Sequence, residues 1–112
     1  MSVHLEVLSS MADKVTAIAA TGRRPRPNDI TELTYPLQRA RQFTQQYQDY
    51  RKRESYRLFV AWLDRYEKFV VTIDAARGDA ARWEVRRSEL PAQQAALAQA
   101  VGKVRAALAR EG

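Results

Sequence analysis

The sequence predicts an all-α chain, a three- to four-helix bundle built on a long central helix. Three observations point there. Apolar residues recur at alternating spacings of three and four in each periodic segment, no segment shows the sustained two-residue alternation of a strand, and Gly and Pro fall almost entirely between the periodic segments. With 112 residues the chain makes one domain, residues 1–112, with a single modest core.

The first helix is expected over about residues 2–21. Leu5, Leu8, Ala12, Val15 and Ala19 form its apolar stripe, with Met11 and Ile18 beside them. Gly22 is placed to end it, because glycine enters the left-handed region without steric cost. Arg23, Arg24, Pro25, Arg26 and Pro27 then read as an extended linker spanning 22–27, since two prolines in three residues cannot continue a helix.

A second helical stretch is expected over about 29–77, with breaks to be considered near 36 and 54. Asn28 and Asp29 are both read as good N-caps, with Glu32 as the capping-box partner of Asp29 and Pro36 either starting a helix or kinking one. Leu37, Ala40, Thr44 and Tyr47 form one stripe. Tyr56, Phe59, Leu63, Tyr66, Val70 and Ile73 form a stronger one, spaced 3-4-3-4-3, and Leu58, Trp62 and Phe69 widen it enough for two neighbours. Between the stripes Arg51, Lys52, Arg53, Glu54 and Ser55 contain neither glycine nor proline. The reading is therefore one helix from Pro36 to Arg77, ~63 Å long at 1.5 Å per residue, with a hairpin break near Glu54–Ser55 as the alternative. The first and last helices are expected to cover the strong seam.

Gly78 stops this stretch and Asp79 stands ready to cap the next. The C-terminal helix is expected over about 89–110, starting at Pro91, with Trp83 on a short preceding turn. Leu90, Gln94, Leu97, Val101, Val104 and Leu108 give it a 3-4-3-4 seam, and Gly102 is read as a point of close helix approach. The core drawn from these seams is Leu8, Val15, Ile18, Phe59, Leu63, Tyr66, Val70, Ile73, Leu97, Val101, Val104 and Leu108.

The composition narrows function. There is no cysteine, so thiolate metal sites and thiol nucleophiles are excluded, and His4 is the only histidine, which rules out paired-histidine metal ligation. The four glycines are isolated, so no phosphate-binding loop exists. Asp64, Glu67 and Asp74 share one side of a helix, but basic residues at ion-pair spacing make solvated pairs the simpler account. Arg77-Gly78-Asp79 coincides with a helix stop and a cap, which explains it. The expectation is a non-enzymatic protein with no catalytic residue, no cofactor and no metal. The first residues lack the layout of a secretory or transit peptide, and the longest apolar run, Leu58–Leu63, is far short of the ~20 residues of a spanning helix. No membrane association and a cytoplasmic location are expected.

Charge and aromatic placement carry what functional signal there is. Nineteen Lys and Arg against thirteen Asp and Glu give a net charge of +6, which favours an acidic partner. Arg23, Arg24 and Arg26 in the linker and Arg39, Arg51, Lys52, Arg53 and Arg57 further on are the candidate contacts for nucleic acid or an acidic protein. All ten aromatics lie between Tyr35 and Trp83, as suits helix faces that are buried or bury later against a partner. If residues 36–77 form one helix, the stripe Leu37, Ala40, Thr44 and Tyr47 has no intramolecular cover. It then becomes a protein interface, with a homodimer or a protein partner as its occupant. A protein-interaction or assembly module is the reading, with a small basic nucleic-acid-binding protein as the alternative.

Overall fold

The computed structural model describes residues 2–21, 23–46 and 51–111, without the side chains of residues 2–4 and 19. Four helices follow in order: α1 (Ser2–Ala20), α2 (Pro27–Gln46), α3 (Glu54–Ala76) and α4 (Ala80–Glu111). Each packs on its chain neighbour, and α1 closes the ring against α4. Short connections make successive helices antiparallel, so the architecture is an up-down-up-down bundle. Its extents of 46 × 23 × 18 Å match the length of α4, the longest element.

The expected helix from Pro36 to Arg77 is broken. The hairpin alternative describes the chain: α2 ends at Gln46, residues 51–53 turn, and α3 starts at Glu54. Burial explains the break. A continuous helix would leave Leu37 and Ala40 in water, whereas folding back buries them to 6% and 0% exposure against the core. Polar ties fix the hairpin at three levels. The Tyr56 hydroxyl donates to the Thr44 carbonyl at 3.2 Å, Arg41 bridges to Asp64 and Glu67, and the buried Tyr66 hydroxyl donates to the Leu33 carbonyl at 2.7 Å. The principal neighbours of α3 are thus α4, the last helix as expected, and α2 in place of the first helix.

The start of α2 also differs. Pro27, expected in the linker, occupies the first helical position, where its missing N–H costs nothing. The Asp29 carboxylate reaches back to accept the Arg26 backbone N–H at 2.8 Å, so Asp29 acts from the third helical position and is not the cap itself. Pro36 lies inside α2.

Helix α4 runs from Ala80 straight through Pro91, so the expected start at 89–91 is ten residues late. Trp83 and Leu90 are both buried and anchor the first part of the helix, which offsets the hydrogen bond lost at the proline. The Asp79 side chain caps it as expected, accepting from the backbone N–H of Ala81 at 2.9 Å and of Arg82 at 3.3 Å. Gly102 is no close-approach point: a Cβ there would meet no atom within 4 Å.

The core follows the seams closely. Leu8, Val15, Phe59, Leu63, Tyr66, Val70, Ile73, Leu97, Val101 and Val104 are buried, while Ile18 and Leu108 pack partly buried at its margin. Trp62 and Tyr66 stack with ring centroids 5.4 Å apart, and the Trp62 indole N–H donates to the Leu97 carbonyl of α4 at 2.9 Å. Both aromatic polar tips are therefore satisfied inside the bundle.

Candidate protein-docking face

The residues first singled out as an interface do not form one. Leu37 and Ala40 are core residues of the α2–α3 hairpin and Thr44 is half-buried with its hydroxyl on the Arg41 carbonyl; Tyr47 lies outside the described residues. The physical case for a homodimer through this stripe goes with it, because α3 supplies the missing cover.

The basic candidates are dispersed. Arg23, Arg24 and Arg26 sit in the α1–α2 connection, while Arg51, Lys52, Arg53 and Arg57 sit at or just past the α2–α3 turn. The 20 residues of α2 separate the two groups, roughly 30 Å along the bundle axis at 1.5 Å per residue. Arg39 lies between them, its guanidinium 5.8 Å over the Tyr35 ring. Arg39 on α2 shares no continuous helix face with Arg53 and Arg57, because the chain turns between them.

The acidic candidates are used in packing. One guanidinium nitrogen of Arg41 lies 2.7 Å from both Asp64 and Glu67, so the two carboxylates of α3 share a cation from α2. Partial burial disfavours the Arg41 cation, but hydrogen bonds and charge from Asp64 and Glu67 outweigh it and raise its pKa. Asp64 thus pairs with Arg41 and not with Lys68, the partner its spacing favours. Asp74 pairs with Arg77 at 2.6 Å. Among the described residues no cluster of three or more His, Asp or Glu side chains is placed to hold a metal ion.

Beside a hollow of about 520 Å³ lined by Asp64, Arg65, Glu67, Lys68 and Val71, the surface opens into a furrow between α3 and α4. Its deeper part is a cavity of about 290 Å³, floored by Phe69 and Leu97 and walled by Arg65, Lys68, Thr72, Gln93 and Ala96. At Thr72 it meets a wider hollow of about 500 Å³ that includes Ala75, Ala76, Arg82 and Arg86. Val71 and Val85 both line that hollow with 62% and 59% of their surface exposed. They are the only exposed large aliphatic side chains among the described residues. Helix geometry explains the furrow's character. Ala75 and Ala96 are too small to close the space between the helices, and Val71 lies off the inward seam of α3.

The rim is basic. Arg65 and Lys68 form no salt bridge among the described residues, Arg82 reaches Asp79 only at 4.0 Å, and Arg86 shares Glu89 at 3.0 Å. The nearest α3 carboxylates, Asp64 and Glu67, are already taken by Arg41. Sequence reasoning passed over this face because it followed the seams. The available signal was Val71, an apolar residue off the seam, with Arg65 and Lys68 within two turns of it.

No protein-family model matches the chain, and neither a curated protein nor a solved structure matches it. No helix among the described residues is long and apolar enough to cross a membrane.

Proposed function

We propose that the chain is a non-enzymatic helical protein-interaction module whose docking face is the α3–α4 furrow. The observation that supports this reading is the pair Val71 and Val85, which line one hollow and remain mostly in water although every other large aliphatic residue described is at least partly covered. Apolar surface gathered in a concave furrow with a polar rim is the usual make-up of a protein-binding groove. The nucleic-acid alternative loses its main support, since its arginines lie in separate groups along the bundle.

A photo-crosslinking amino acid placed at Val71 or Val85 in the native cells tests the reading. Ala17, exposed on α1, serves as the control position. Covalent adducts with another protein are expected at 71 and 85 and not at 17. Adducts with nucleic acid, or no adduct at either valine, overturn the proposal.

A further inference from the structure

We infer that the occupant of the furrow is an acidic amphipathic helix from another protein, laid along α3 and α4. This rests on the docking role of the furrow and names the partner's chemistry. Three features of the face lead there. Its shape is linear: from Arg65 to Ala76 it follows α3 for roughly 16 Å, about three helical turns, which suits a helix laid into a groove. Its floor is apolar at two levels, Phe69 and Leu97 at one and Val71 and Val85 at the other, which matches anchors spaced at i, i+3 or i+4 and i+7 on one face of a helix.

Its charge then selects among helices. Arg65 and Lys68 stand one turn apart without salt-bridge partners among the described residues, and Arg82 is barely paired. Asp79 and Glu89 stand beside the rim, Asp79 at 4.0 Å from Arg82 and Glu89 held by Arg86 at 3.0 Å. Asp64 and Glu67, which line an adjoining hollow together with Arg65, Lys68 and Val71, are held by Arg41. The furrow lining itself therefore supplies four cations, Arg65, Lys68, Arg82 and Arg86, and no carboxylate, and a partner that flanks its apolar anchors with Glu or Asp satisfies them. A second copy of this chain does not. A two-fold contact through the same face brings two copies of the cationic lining together in a chain already carrying +6.

The test uses the full chain and a fluorescent helical peptide of about 18 residues, enough to span the furrow with a turn to spare at each end. Leucines occupy i, i+3 or i+4 and i+7, with glutamates on both flanks. Anisotropy should report saturable binding that weakens as salt rises. The same peptide with Glu replaced by Gln should bind about tenfold more weakly, and with Lys more weakly still. Arg65→Glu with Lys68→Glu should lower affinity for the acidic peptide by about tenfold and favour the Lys peptide. Val71→Asp should also weaken it, whereas Lys103→Glu with Arg105→Glu, outside the furrow, should have a much smaller effect. These positions are exposed, and circular dichroism of each variant checks that the fold survives.

Equal binding of the acidic and Gln peptides overturns the charge argument, and indifference to the furrow variants overturns the site. If no peptide binds while crosslinks still form at Val71, the partner's chemistry is wrong and the docking face stands. Self-association abolished by Val71→Asp identifies a second copy as the occupant. Binding only to phosphatidylserine vesicles identifies a lipid surface, and either result rejects the acidic helix.

Discussion

Tyr66 shows how one side chain serves two ends in the bundle. Its ring stacks on Trp62 in the core, and its hydroxyl leaves α3 to reach the Leu33 carbonyl of α2. Burial pushes its phenol well above the ordinary tyrosine value, because the phenolate would lose its water. The unfolded chain releases this proton near pH 10 while the folded chain keeps it, so above that pH the unfolded state binds fewer protons. The stability tied to Tyr66 is therefore fully present below about pH 10 and is lost as pH rises towards the raised folded-state value. Tyr66→Phe should cost about 0.5–1.5 kcal/mol at neutral pH through the lost hydrogen bond. It should also flatten the decline in stability above pH 10, and urea titrations of both proteins at pH 8 and pH 11 check this. A second residue tests the seam itself. Leu63 is fully buried between α3's neighbours, and Leu63→Ala should destabilise by ~2–5 kcal/mol in the same assay. A loss well under ~1 kcal/mol would mean that the site collapses or was never tightly packed.

Among the helices, α3 was the most legible in the sequence, because its seam runs through Tyr56, Phe59, Leu63, Tyr66, Val70 and Ile73 without interruption and every turn of it is at least partly buried. The end of α2 was not legible, since Arg51 to Ser55 carry no breaker. The chain reverses there because Leu37 and Ala40 gain more from burial on α3 than a straight helix gains from continuity. The start of α4 was misplaced for the opposite reason: Pro91 reads as a helix start, yet Trp83 and Leu90 hold both sides of it in the core. The docking furrow was the least legible, since it is made by small residues on two helices and by valines off their seams, where apolar periodicity points to nothing. Gly102 offers a direct check at this scale. It lies inside α4 with open space where a Cβ would stand, so nothing requires its small size. Gly102→Ala should stabilise the protein by ~0.5–1 kcal/mol through helix propensity alone, read as a shift in urea midpoint at unchanged slope.

For the molecule as a whole, the main consequence of the fold is that its apolar stripes are spent internally. The face left over is narrow and ringed by like charge. The isolated chain is therefore expected to be a 12.8 kDa monomer across a wide concentration range, measured by light scattering behind size exclusion. A concentration-dependent dimer would show that two copies overcome the basic rim, and would redirect attention to self-assembly.

The closure of the ring by α1 on α4 also has a meaning in time. Every other principal helix contact joins neighbours along the chain, across turns that close with little entropy, but α1 and α4 meet only by closing a loop of about 60 residues. The two hairpins that share α3 are the natural nucleus, and α1 is the element that arrives last. Val15→Ala, a core truncation in α1, should then hasten unfolding while leaving the refolding rate nearly unchanged, as a stopped-flow chevron would register. The bundle would thus begin to come apart at its first helix, while the α3–α4 furrow, held between two helices of the nucleus, keeps its shape longest.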